Sequence, residues 1–265
     1  MPRKAFERRN NFRKPRYSRK NFNRRGLFMK MKLFAVILAA ALLCACGKAA
    51  ESVSVSSSAV ETAYNLPDGF VYVDDVIPDV VLEMRYATAH NFTGAPMDGY
   101  NAEVCILTKE AADALKIAAQ KFAADGWRIH IYDTYRPQAA LDYIIAWGDS
   151  DDEACREEFY PTLTKAQLFT DGYLSKRSRH TRGSTVDMTL EDKDGTLIDV
   201  GGPYDLLDPL SNFDTPDITE EQRKNRYYIQ AIMTEAGFDT IPTEWWHYQL
   251  RNEPYPDTYF DFPVE

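Results

Sequence analysis

The chain has 265 residues, 45% hydrophobic and 27% charged, with 13 Gly and 14 Pro, a balance that excludes a collagen, a coiled coil, a multispan membrane protein and a wholly disordered chain. That length suffices for one sizeable domain, or two small ones, around a true hydrophobic core. The net charge of −9 averages two unlike pieces: residues 1–32 hold 13 Lys/Arg against one acid, a net of +12, and the rest hold 18 Lys/Arg against 39 Asp/Glu, a net of −21. The acidity of the larger piece argues against nucleic acid as a partner.

In chain order, residues 1–28 come first, rich in Arg and Asn. They read either as a basic arm for nucleic acid or as the product of a start assigned too far upstream, with translation beginning at Met29 or Met31; a basic run ahead of an export signal favours the second. The uncharged run Leu33 to Leu43 follows, too short for a bilayer crossing of about 20 residues but suited to a signal-peptide core. Its end, Leu43-Cys44-Ala45-Cys46-Gly47, resembles the bacterial lipobox. That resemblance implies a lipidated Cys46, a membrane anchor through it, and a location on the outer face of the cytoplasmic membrane or in the periplasm. Residues 1–45 are then leader and signal peptide, 46–65 a flexible tether of small and polar residues, and 66–265 one domain. Cys105 and Cys155 either pair in an oxidising compartment or stay as two separate thiols; the sequence leaves both open.

Within that domain, Thr108-Lys109-Glu110 opens a helical apolar pattern that Gly126 closes. Residues 127–132 alternate and are rich in β-branched and aromatic side chains, which predicts a strand. Pro137 starts a helix running to Gly148. The run 148–158 reads as a solvated acidic loop. Further strands are predicted over 184–190 and 245–250, and a helix from Glu220 to Ala236 stopped by Gly237. The aromatic tail 255–262 should pack on the body. Helices and strands mix without a βαβ rhythm, which predicts an α+β fold: a central antiparallel sheet flanked by helices, with its site in a cleft.

Only four histidines occur: His90, His130, His180 and His247. His130 alternates on a strand and reads as structural. His180 precedes Asp187 by seven residues, and Glu244 precedes His247 by three. Imidazole and carboxylate suit Zn²⁺, and a catalytic zinc needs three protein ligands plus an open position. His180, Asp187 and His247 meet that count, with Glu244 beside them to take a proton from water. On spacing alone, a chance cluster with a capping His180 and a core His247 stays open.

The segments SRHTRGSTVD (178–187) and EWWH (244–247), with DTYRPQAA (133–140), RYATAHNFTG (85–94) and GGPYD (201–205), resemble the zinc D-alanyl-D-alanine dipeptidases, related to zinc D,D-carboxypeptidases. The likeness extends over roughly residues 70–250. It implies one Zn²⁺ per chain on His180, Asp187 and His247, and Glu244 as general base. Arg136 matches the arginine that stabilises the oxyanion, against a bland reading as a surface ion pair. Asp205 matches the partner of the substrate ammonium, against a turn-forming Asp after Pro203, and Ser178 matches a hydroxyl that helps hold the dipeptide. His90 departs from the family, which has an acid at that place. The expected activity is hydrolysis of a D,D-dipeptide in the cell envelope, with no obligate protein partner evident. Two other readings are a D,D-carboxypeptidase trimming peptidoglycan stem peptides and a non-catalytic, zinc-bearing wall-binding lipoprotein.

Overall fold

A computed structural model of the chain describes residues 66–265. The basic leader, the predicted lipidation at Cys46 and the tether up to residue 65 lie outside the described residues. In chain order the elements are β1 (Phe70–Tyr72), the single turn α1 (Val73–Val76), β2 (Val81–Leu82), β3 (Ile106–Thr108), α2 (Lys109–Ala124), β4 (Trp127–Asp133), α3 (Gln138–Gly148), the short α4 (Arg156–Phe159) and α5 (Lys165–Thr170), β5 (Thr185–Asp192), α6 (Glu220–Glu235), β6 (Phe238–Thr240) and β7 (His247–Leu250).

Five strands form one sheet in the order β2-β4-β5-β7-β6, while β1 and β3 make a separate antiparallel pair. The α+β expectation holds, and the sheet is antiparallel except at one edge, where β2 runs parallel to β4. The two longest helices, α2 and α6, start where their sequences supply an N-cap. The Thr108 hydroxyl accepts from the Ala111 amide, and Thr219 forms a reciprocal capping box with Gln222 ahead of α6. The last strand begins at His247, two residues later than expected, because Trp245 instead donates its amide to the Ser211 carbonyl.

Strand alternation sorts the sheet into two faces. In the β4–β5 register His130 pairs with Thr189 and Ile131 with Met188, and in β5–β7 Asp187 pairs with His247 and Val186 with Tyr248. Thus Ile129, Ile131, Val186, Met188, Leu190 and Leu250 share the apolar face and join the buried core. Asp187, Thr189, His130 and His247 share the other. Helices α2 and α6 pack on each other, α2 on β4 and α6 on β6. The tail packs as expected: the Phe70 ring meets those of Phe260 and Phe262 edge-on at 4.9 Å each and stacks on Tyr255 at 6.0 Å.

His130 is structural, as its position suggested. It lies between two carboxylates, with Nδ1 2.9 Å from Glu191 and Nε2 3.0 Å from Glu83. Burial pushes its pKa down, but the two glutamates outweigh that and raise it. The acidic run 148–158 is mostly exposed, with α4 beginning inside it. Cys105 and Cys155 are free, the first buried and the second half-buried. His90 is exposed and stands 3.1 Å from Glu158.

Candidate active site

Three side chains converge because the sheet brings three chain segments to one end. Asp187 on β5 faces His247 across the β5–β7 ladder, and His180 sits in a 3-10 turn (His180–Arg182) directly before β5. Gly183 closes that turn with φ +79°; a Cβ there would stand 2.3 Å from Cε1 of Phe70, so only glycine lets the turn press against the aromatic cluster. Its carbonyl then accepts from the Thr108 amide at 2.7 Å, tying the turn to β3.

The donor atoms form a near-equilateral triangle. Asp187 Oδ1 is 3.3 Å from His180 Nε2 and 3.2 Å from His247 Nδ1, and the two ring nitrogens are 3.3 Å apart. Ligands about 2.0–2.1 Å from a tetrahedral metal are about 3.3–3.4 Å from one another, so the spacing fits a Zn²⁺ site with one position open. Asp187 Oδ1 is buried and makes no hydrogen bond of its own, which leaves its lone pairs for a cation. The His180 Nδ1 donates to the Thr134 carbonyl at 2.7 Å, so in the neutral ring Nε2 is bare and aimed at the cluster. Burial pushes the pKa of His247 down, keeping it neutral as a ligand must be. Burial pushes Asp187 up, but the neighbouring imidazoles pull it well below the usual carboxylate range.

The triangle opens into a cavity of about 410 Å³, and all seven residues expected to act on metal or substrate line it: Arg136, Ser178, His180, Asp187, Asp205, Glu244 and His247. Glu244 is buried, with Oε2 3.6 Å from His247 Nδ1. Burial and the Asp187 carboxylate raise its pKa well above the ordinary value in the metal-free protein. A positive charge close by lowers a carboxylate's pKa, so a cation on the triangle would favour the ionised form of Glu244. Ser178 accepts the His180 amide on its Oγ at 3.2 Å, which leaves the hydroxyl hydrogen free to donate.

Arg136 is not a surface pair. It is buried, and its guanidinium lies 4.7 Å above the centre of the Tyr86 ring. Asp205 is indeed in a turn, with φ +63°, the one non-glycine residue of positive φ among those described. Its turn conformation and a functional role coexist: Oδ1 accepts from the Tyr86 hydroxyl at 3.0 Å, while Oδ2 is buried with no partner. Burial, only partly offset by that hydrogen bond and by Arg85, raises its pKa to about 7. Backbone strain and a buried, unpartnered carboxylate oxygen coincide at this one residue, the combination found where a side chain is held for a role beyond folding.

Three residues escape a reading by residue type. Asp133, fully buried at the end of β4, holds Arg136; Tyr86 links Arg136 to Asp205; and Tyr204 donates to Asp187 Oδ2 at 3.3 Å. Each lies within a segment quoted above, and Tyr204 directly precedes Asp205. The available signal for Asp133 is an acid three positions before Arg136 at the end of an apolar strand.

Residues 67–265 match a family of peptidases, M15, described as D-ala-D-ala dipeptidase. A protein of Streptomyces coelicolor named D-alanyl-D-alanine dipeptidase is 40% identical over 197 residues, covering 74% of this chain and 98% of that one. One of the same name from Enterococcus faecalis is 40% identical over 201 residues, 75% of this chain and 100% of that one. Another, from Enterococcus faecium, is 36% identical over 199 residues, with 74% and 98% covered.

Proposed function

The chain belongs to the D-Ala-D-Ala dipeptidase family of metallopeptidases, and from that premise we propose that it hydrolyses D-alanyl-D-alanine, or a close D,D-dipeptide, to free D-amino acids in the cell envelope, held to the membrane by a lipid on Cys46. The observation that carries the reading is the buried, partnerless Oδ2 of Asp205 in the same cavity as the His180–Asp187–His247 triangle. A free dipeptide carries its ammonium on the same residue as its scissile carbonyl, and Asp205 offers that ammonium a buried carboxylate oxygen with no partner of its own. Longer stem peptides carry an acylated nitrogen there, which would leave Asp205 buried and unmatched.

A zinc ion on the triangle would supply Lewis acidity, polarising the carbonyl and bringing the pKa of water to about 7. The chain's own residues do the rest. Glu244 takes a proton from the attacking water and returns it to the leaving amine. Arg136, fixed by Asp133 and lying over Tyr86, presents a rigid cation to the developing oxyanion. Ser178 donates its hydroxyl hydrogen to the dipeptide. The Leu43-Cys44-Ala45-Cys46 run and the basic residues before it support export and lipidation.

The zinc-loaded protein should release free alanine from D-Ala-D-Ala, and chelator should stop it. Glu244→Gln should retain stoichiometric zinc and lose on the order of 10²–10⁴ in rate. Turnover of N-acylated stem peptides with none of the free dipeptide would replace this reading with the carboxypeptidase. Stoichiometric zinc with no hydrolysis of either would leave a wall-binding lipoprotein.

A further inference from the structure

Arg226, on α6, is 1% exposed, yet no acid compensates its charge among the described residues. Instead the guanidinium is spent on backbone. Nε donates to the Val200 carbonyl at 2.7 Å, Nη1 to Asn212 at 2.8 Å and Nη2 to Leu210 at 3.2 Å. Burial without an anion pushes its pKa down to about 10, the mark of a charge kept at a cost to stability.

Those three carbonyls are the two ends of one loop. Val200 opens it, and Leu210 and Asn212 close it. Between them stand Tyr204, bonded to Asp187, and Asp205, with its left-handed backbone. Gly201 brings the opening end flat onto the chain leading into α6: with φ +86°, a Cβ there would lie 2.5 Å from Ile218 Cγ2 and 3.0 Å from Gln222 Oε1. The closing end is tied in turn to the segment that carries Glu244. The Trp245 amide donates to the Ser211 carbonyl at 3.1 Å, and the Phe213 amide to the Pro242 carbonyl at 2.9 Å. Residues 210–213 are therefore gripped by Arg226 and pair with the two residues that bracket positions 243–244.

We propose that Arg226 is a positioning residue that sets Asp205 and Glu244 at their working separation, by pinning the carbonyls of Val200, Leu210 and Asn212 to one rigid guanidinium. The inference rests on the reading of Asp205 as ammonium acceptor and Glu244 as base. A planar fork of five donors can span three carbonyls; a lysine ammonium is a point donor and cannot, and an apolar side chain leaves all three unpaired.

The test compares the full chain with Arg226→Lys and Arg226→Met, measuring zinc content, thermal midpoint, and kcat and KM for D-Ala-D-Ala and N-acetyl-D-Ala-D-Ala. The ratio of kcat/KM for the two substrates does not depend on how much of the enzyme is folded, so lost stability alone leaves it unchanged. Expected are stoichiometric zinc, a fall in kcat/KM for the free dipeptide on the order of 10–10²-fold, and a fall of about tenfold in preference for the free over the acylated substrate, with Arg226→Lys intermediate. If Arg226→Met does not fold, Arg226→Lys below its thermal midpoint carries the test. A preference within about twofold of wild type in the folded variants overturns the role of Arg226. A wild type that turns over no free dipeptide overturns the functional reading first, and the inference with it.

Discussion

Arg136 donates from both Nε, at 3.0 Å, and Nη2, at 2.9 Å, to a single oxygen, Oδ2, of Asp133. The other oxygen of Asp133 accepts from the Tyr100 hydroxyl at 2.6 Å. Asp133 Oδ2 is also 3.3 Å from His180 Nδ1. One buried carboxylate thus contacts both the Arg136 guanidinium and an imidazole of the His180–Asp187–His247 triangle. Arg136→Lys keeps the charge and loses the fork, so kcat should fall on the order of 10²–10³-fold with zinc retained. Asp133→Asn keeps the shape and weakens the grip, with a smaller fall of about 10–10²-fold. Steady-state kinetics beside zinc analysis decides it, and wild-type kcat in both variants would remove the pair from catalysis.

With Asp205 as ammonium acceptor, the activity should depend on pH with a definite sign. Only its ionised form attracts an ammonium, so kcat/KM for the free dipeptide should rise with pH along a limb ending at or below about 7, a bound cation drawing the value down. Asp205→Asn should flatten that limb. In chelator-treated protein the same group acts on stability. Its folded pKa of about 7 exceeds the ordinary 3.8, so between those values the native state holds a proton that the unfolded chain has released. Its stabilising contribution is complete below pH 3.8 and lost as pH rises through 7. Asn stays neutral throughout, so the thermal midpoint of metal-free wild type should fall relative to that of metal-free Asp205→Asn as pH rises from 4 to 7; parallel curves would contradict the buried, proton-holding carboxyl.

Gly183→Ala tests the turn that delivers His180. The new methyl meets the Phe70 ring at contact distances no packed pair sustains, and the backbone is left-handed. The turn must shift, and with it His180 Nε2. Weaker zinc retention in competition with a chelator, together with a lowered thermal midpoint, is expected. Unchanged zinc affinity would show that the triangle does not depend on this close approach.

Much of the site was legible in residue types. His180, Asp187, Glu244 and His247 stood out because the chain has few histidines and two of them sit near carboxylates. The structure brings these residues into one cavity with Arg136, Ser178 and Asp205. Asp133, Tyr86 and Tyr204 did not stand out, since a buried acid or phenol is informative only once its partner is known. Arg226 is one of several charged residues along a polar helix. Its α6 neighbours are mostly exposed or half-buried, and nothing local says that its guanidinium turns inward onto carbonyls 14 to 26 residues away.

The same division runs through the fold. By itself the sequence determined α2, β4, α3 and α6, because apolar periodicity and capping residues such as Thr108 and Thr219 act within a few positions of the chain. It also determined that residues 1–32 and the rest are electrostatically different. Tertiary structure alone decided the two- and three-residue strands β1, β2, β3 and β6, too short to carry a pattern and held only by partner strands. It alone decided the register that sets Asp187 opposite His247, 60 positions along the chain, and left Asp205 Oδ2 without a partner. The separation of a few ångströms that makes chemistry from those residues is a property of packing between segments, where local preference has no say.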